Sequence, residues 1–296
     1  MKTISRANTS FGLNDMENQR PYAGRLGILA GGGSLPVEIG AAAVAAGENP
    51  FVMALAGEAN EAITQFDHAW ASIGQVGTQV QGLRDAGCDR LVIIGGVTRP
   101  DFKALKVDLG FFTNLPRILE LTIGGDNTLL GNVIRFFEAK GLTVVGAHDV
   151  APELLAAPGV MGRKKPSDAD TRDLETAREA VATLGRLDIG QGAVVARQYV
   201  LAVEAAEGTD RMLERCAQLR PWGGGILRRR VGAFFKGPKP AQELRVDMPV
   251  IGPATIERVA AAGLAGIGLA EGHVLMAERQ RTIAAADDAG IFLVGM

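Results

Sequence analysis

Two cysteines, Cys88 and Cys216, stand far apart in a chain of 296 residues. That pattern excludes a disulfide framework and a cysteine metal knuckle, and it suits a reducing cytoplasm. Histidine is nearly as scarce. His68, His148 and His273 are scattered, which argues against a His-rich zinc or iron centre and leaves oxygen as the main donor for any metal. Aromatic residues make up only 5% of the chain, too few for a base-stacking platform. Neither sign of charge dominates: 31 Lys and Arg face 33 Asp and Glu, a formal net charge of −2. A nucleic-acid binder would carry a basic excess. No charge-free apolar run reaches the ~18 residues of a membrane span. The longest, Val259 to Ala270, is interrupted by three glycines. Residues 1–23 are polar, without the apolar stretch of a signal peptide, and are expected to form a loose extension.

What the chain does contain is ordinary core material, 47% hydrophobic and 22% charged, and an excess of glycine. Glycine fills 39 positions, nearly twice the usual ~7%. The glycines fall at segment ends, where turns form and backbone approaches a ligand closely. The length predicts two domains. From Gly24 the pattern is α/β. Strands are expected at Arg25–Ala30, Pro50–Leu55, Leu91–Ile94 and Leu142–Val145. Helices are expected from Pro36 to Ala46, Thr78 to Ala86 and Asn127 to Lys140, with Gly47, Gly87 and Gly141 as stops. Such alternation implies a parallel sheet. After about residue 150 the texture changes. Helices are predicted at Asp168–Leu187, Asp210–Leu219 and Thr255–Ala262, a hairpin at Ala193–Val203, and strands within 225–236 and 273–278. The fold class is therefore α/β. A Rossmann-like parallel-sheet domain over 24–160 is joined to a second, C-terminal α/β domain over 161–296.

Five segments carry candidate chemistry. Gly31-Gly-Gly-Ser34 lies between a strand and a helix, where free backbone N–H groups bind anions. It is neither a G-x-G-x-x-G fingerprint nor a P-loop, and Ser34 also suits a plain helix cap. Gly95-Gly-Val-Thr-Arg99-Pro follows a second buried strand and offers an Arg to a phosphate. Gly124-Gly-Asp126-Asn127 precedes a helix, where Asp126 suits an N-cap. Glu207-Gly-Thr209-Asp210 sets two carboxylates around a glycine, a grouping that can cap a helix or converge on a hard cation. The stretch from Lys236 to Thr255 holds Lys236, Lys239, Gln242, Arg245 and Asp247 among prolines and glycines. If extended, it would turn Arg245 and Asp247 the same way, either as an ion pair or as a phosphate grip beside a metal-binding or water-positioning carboxylate.

Glu207-Gly-Thr-Asp210, Lys239-Pro240, Gln242, Arg245-x-Asp247-x-Pro249 and Ile251-Gly252 together resemble the metal-dependent UDP-2,3-diacylglucosamine pyrophosphatases of lipid A biosynthesis, the LpxI family. So do Gly27-Ile-Leu-Ala-Gly-Gly-Gly-Ser-Leu-Pro36, Gly95-Gly-x-x-Arg-Pro100 and Pro152 to Gly162. The ordered set spans residue 25 to the C-terminus. The resemblance implies hydrolysis of UDP-2,3-diacylglucosamine to UMP and 2,3-diacylglucosamine 1-phosphate, with water attacking the β-phosphorus. It also implies dependence on Mg²⁺ (or Mn²⁺), a C-terminal domain of unusual fold, and a homodimer in the cytoplasm with at most peripheral membrane contact. The family's essential Asp maps onto Asp247, with Arg245 beside it as the second catalytic candidate. Substrate binding is expected at Gly32, Gly33, Ser34, Gly95, Arg99, Lys236 and Gln242. Metal binding is expected at Asp247, Asp210 and Glu207. Glu243 departs from the family, which often has Asp there. Two other classes stay open on the residues alone. A nucleotide-dependent oxidoreductase is disfavoured by the missing fingerprint, and a nucleotide-sugar or lipid carrier would need the pockets but no metal.

Overall fold

The computed structural model describes residues 23–97, 126–219, 230–240 and 242–296. Most of the N-terminal extension, Arg99, Gly124 and the first part of the 225–236 strand candidate lie outside the described residues. Among the described residues, the first sheet consists of β1 Arg25–Ala30, β2 Phe51–Leu55, β3 Asp67–Ala71, β4 Cys88–Ile94 and β5 Thr143–Val144. Every pairing is parallel, in the order β3-β2-β1-β4-β5. Helices α1 Leu35–Ala45, α2 Val76–Asp85 and α3 Asp126–Glu138 cover it. The alternation of strand side chains explains the layering. Leu26, Ile28, Ala30, Val52 and Ala54 pack with Leu35, Ile39 and Ala43 of α1. Leu29, Phe51, Met53 and Leu55 turn to the opposite face, against Val80 and Leu83 of α2 and Phe136 and Phe137 of α3. Each large side chain so buried stabilises the fold by roughly 1.5–3 kcal/mol.

The second sheet runs β6-β13-β11-β9-β7-β8. Its strands are β6 Gly159–Val160, β7 Gly192–Ala196, β8 Tyr199–Val203, β9 Ala233–Lys236, β11 Gly266–Leu269 and β13 Phe292–Gly295. The central β9, β11 and β13 are parallel, while β7, β8 and β6 add antiparallel edges. Helix α4 Asp168–Gly185 covers one face through Leu174, Ala177 and Val181. Helices α5 Gly208–Gln218, α6 Pro253–Ala261 and α7 Arg279–Asp288 cover the other through Met212, Ile256 and Ala286. A short parallel pair, β10 Val250–Ile251 with β12 Leu275–Met276, carries Leu275 into the core of the first sheet.

Of the elements named above, β3, β6, β10, β11, β13 and α7 have no counterpart in the sequence analysis. β3 is a half-exposed edge strand of mixed polarity. β11 alternates glycine with Ile267 and Leu269, and it sits inside the run read as one apolar stretch. α7 is polar on most of its surface, and β13 is four residues long. The strand expected within 273–278 shortens to Leu275–Met276. Both cysteines are free and buried. Among the described residues no helix is long and apolar enough to cross a membrane.

Candidate functional site

The order of the first sheet reverses between β1 and β4, the place where open α/β sheets bind ligands. The two glycine turns leave the sheet side by side at this point. Gly32 N donates to Gly96 O at 2.7 Å, and Gly96 N donates to Gly32 O at 3.0 Å. The approach is too close for side chains: a Cβ on Gly31 would stand 2.6 Å from Gly96 O, and one on Gly95 2.7 Å from the Gly31 carbonyl carbon. Ser34 does not cap α1 with its side chain, since its own backbone is helical at φ −87° and ψ −26°. Its carbonyl accepts from Val37 and Glu38 instead.

Gly32, Gly33, Ser34 and Gly95 form one wall of a cleft of about 660 Å³. Asp210, Asp247, Glu257 and Arg281 line the cleft with them, so the two sheets contribute opposite walls. Asp247 lies past a turn at Leu244–Val246, and its N–H donates to Glu243 O at 3.0 Å. Gln242 Nε2 donates to Asp247 Oδ2 at 2.8 Å and to Gln191 Oε1 at 3.1 Å, while Gln242 Oε1 accepts from Lys239 N at 2.8 Å. Gln242 thus holds Asp247 in place, and its amide is committed to protein groups rather than to substrate. Gln191, at the entrance to β7, is a part of this site that the sequence analysis does not contain. Its contact crosses 51 residues, and no local pattern marks it.

The structure separates other expected partners. The Arg245 segment is a turn rather than extended chain, so Arg245 does not share a direction with Asp247. Its guanidinium forks onto Glu243, with Nε at 3.0 Å and Nη2 at 2.9 Å, and Nη1 reaches Glu138 of α3 at 3.1 Å. That hydrogen bonding holds the Glu243 carboxyl below its usual range. Lys236 is only 5% exposed and is absent from the cleft lining. It sits behind the wall and donates to Thr209 Oγ1 at 2.6 Å, so a direct substrate contact is not what the fold gives it. Burial lowers its pKa, against the charges of Glu204, Asp210 and Asp247, which raise it.

The three-carboxylate metal site is not assembled. Hydrogen bonding from its own backbone N–H, and then from Arg215 Nη2 at 2.7 Å, keeps the Glu207 carboxyl below the usual range. It does not line the cleft. Among the described residues no group of three or more His, Cys, Asp or Glu is placed to hold a metal ion. Asp210 and Asp247 do share the cleft, with Arg258 Nη2 3.1 Å from Asp210 Oδ2. One or two carboxylates completed by substrate phosphate oxygens is the usual protein contribution to Mg²⁺, so this smaller donor set fits that ion.

A cleft at the switch point of a parallel sheet, lined also by Asp210 of α5 and by Asp247, defines an α/β protein with its ligand site at the carboxyl ends of the strands. The chain belongs to the LpxI family. The family's N-terminal domain model matches residues 25–154 and its C-terminal domain model matches residues 157–294. The chain is also 44% identical over 272 residues to the UDP-2,3-diacylglucosamine pyrophosphatase LpxI of Caulobacter vibrioides, an alignment covering 92% of this chain and 97% of that protein.

Proposed function

We propose that this protein is a pyrophosphatase that hydrolyses UDP-2,3-diacylglucosamine to UMP and 2,3-diacylglucosamine 1-phosphate. The observation that carries the reading is the 44% identity to a pyrophosphatase of that name across both sheets, with the intervening cleft lined from both. Gly33 and Ser34, on the cleft wall at the start of α1, offer backbone N–H groups to the nucleotide half, and the glycines at 31 and 95 let the two turns meet closely enough to build that wall. Asp247 works from the opposite wall. Gln242 fixes its Oδ2, which leaves Oδ1 to orient the water that attacks the β-phosphorus as the anhydride P–O bond breaks and UMP leaves. Asp210 and Asp247 are the residues that would hold Mg²⁺ or Mn²⁺, whose contribution is to offset charge on the pyrophosphate oxygens and to supply Lewis acidity. The reading includes a cytoplasmic, at most peripheral, encounter with the lipid-bearing substrate and a homodimeric state, both supported by the family resemblance.

One assay tests the reaction: UMP release from UDP-2,3-diacylglucosamine, with EDTA and with Mg²⁺ restored. EDTA is expected to abolish release and Mg²⁺ or Mn²⁺ to recover it. Asp247→Ala is expected to lower kcat by at least ~10³, the scale of removing a main electrostatic contributor. A folded Asp247→Ala protein with wild-type turnover would overturn the role given to Asp247. Undiminished activity in chelator would overturn the metal.

A further inference from the structure

Behind the acidic wall of the cleft lies a buried chain of three groups that the proposed reaction has not used. Lys236 ends β9, and its Nζ donates to Thr209 Oγ1 at 2.6 Å. Thr209 Oγ1 donates in turn to Glu204 Oε2 at 3.0 Å. Chemistry fixes the direction of this relay. An ammonium only donates and an ionised carboxylate only accepts, so the hydroxyl proton points to Glu204. Glu204 is only 7% exposed. It follows β8 directly, and its N–H donates to Gly192 O at 2.8 Å. Room for its carboxylate comes from the facing strand, since a Cβ on Gly192 would stand 2.7 Å from Glu204 Oε2. A buried ammonium and a buried carboxylate persist only when each is paired, and one hydroxyl pairs them here.

Burial lowers the Lys236 pKa, and the charges of Glu204, Asp210 and Asp247 act on it in the opposite sense. Two of these, Asp210 and Asp247, line the cleft. Placed on one wall, Asp210 and Asp247 repel each other, and a fixed positive charge beneath them offsets that repulsion. We propose that Glu204 is a positioning residue for the hydrolysis: through the Thr209 hydroxyl it holds the Lys236 ammonium behind Asp210 and Asp247, where it adds a buried positive charge to the one that Arg258 sets against Asp210. The proposal rests on the pyrophosphatase reading for its effect on turnover, but not for the relay itself. Thr209 and Glu204 touch no substrate. They act through Lys236, and Lys236 acts through the two carboxylates.

The experiment compares Thr209→Val, Thr209→Ser and Glu204→Gln with the wild-type protein in kcat, KM and thermal melting. Losing a hydrogen bond to a charged group predicts a fall in kcat of roughly 10–100-fold for Thr209→Val and Glu204→Gln. KM should stay within about twofold, because ground-state binding is untouched. Thr209→Ser keeps the hydroxyl and should return kcat to within about threefold of wild type. The Glu204→Gln, Lys236→Met double variant should be no slower than Lys236→Met alone, since both act at one point. A spectrum of ¹⁵N-lysine-labelled protein reads the relay without turnover. A protected ammonium resonance, assigned by its loss in Lys236→Met, should be present in wild type and Thr209→Ser and absent in Thr209→Val. Wild-type kcat in folded Thr209→Val, additive losses in the double variant, or no protected Lys236 resonance in wild type would each overturn the proposal. If wild type releases no UMP, the pyrophosphatase reading fails, while the lysine resonance still decides the relay.

Discussion

Gly33 has open space around the position of a Cβ, yet its backbone sits at φ +93°, a region that side-chain-bearing residues rarely adopt. Gly33→Ala therefore costs about 1 kcal/mol of strain and also places a methyl group on the wall of the cleft. The expected result is a raised KM for the nucleotide substrate with kcat nearly unchanged, because ground-state and transition-state binding fall together. An unchanged KM in the folded variant would remove this turn from the binding site. The cysteines make a second test at this scale. Burial pushes the thiols of Cys88 and Cys216 up to about 11. Thiolate is the reactive form, so neither should titrate with a thiol reagent at neutral pH until the chain unfolds. Rapid labelling of the native protein would contradict the packing around them. Legibility in the sequence divides along the same line. Asp247 and the Gly31–Ser34 turn are marked by their neighbours along the chain. Glu204 and Gln191 matter through contacts that only tertiary structure creates, and the turn at Leu244–Val246, which sends Arg245 onto Glu243 and Glu138, is likewise set by those contacts rather than by local spacing.

Among the elements, the β7–β8 hairpin shows how a helix supports a turn of unfavourable composition. Arg197 and Gln198 both have positive φ, at 54° and 65°, where Asn-Gly is the usual choice. The support comes from Asp173 on α4, itself only 4% exposed. Its Oδ2 accepts from Arg197 N at 3.0 Å, and its Oδ1 accepts from Gln198 N at 2.7 Å and Gln198 Nε2 at 3.1 Å. Asp173→Ala removes these charge-assisted bonds and should lower unfolding stability by about 1.5–3 kcal/mol in a denaturant titration. A loss below about 0.5 kcal/mol would show that the turn holds without the clamp. Two apolar runs make the hairpin legible in the sequence, but its turn is held by this distant carboxylate. The same limit explains β11, where glycines stand at the positions facing Phe292 and Leu174. A Cβ on Gly266 would lie 2.2 Å from the Phe292 ring, and one on Gly268 2.7 Å from Leu174. Close packing by neighbours, rather than intrinsic strand preference, selects those residues, so propensity does not reveal the strand.

At the scale of the whole molecule the site depends on how the two sheets are joined. Leu275 of β12 is part of the core of the first sheet, with Met248, Val250 and Ala277 packed against that core. A polar contact reinforces this apolar seam. Glu278 precedes α7 in a left-handed conformation at φ 47°, and its N–H donates to both carboxylate oxygens of Glu38 on α1, each at 3.0 Å. Glu278 and Arg281 form part of the cleft wall, and Arg281 Nη1 is held 2.7 Å from Glu278 Oε2. Glu38 therefore fixes the entry to α7, and through it the placement of that wall, from the opposite sheet. Removing this anchor should cost stability and loosen binding while leaving Asp247 and its Gln242 support intact. Glu38→Ala is expected to lower stability by about 1.5–3 kcal/mol. It should also raise KM several-fold, with kcat altered by less than about twofold. Glu38→Gln retains one acceptor oxygen and should fall between the two. Calorimetry and steady-state kinetics on the three proteins check both effects. A variant that melts earlier with unchanged KM would show that the join serves folding alone and that the cleft wall is set by the apolar seam.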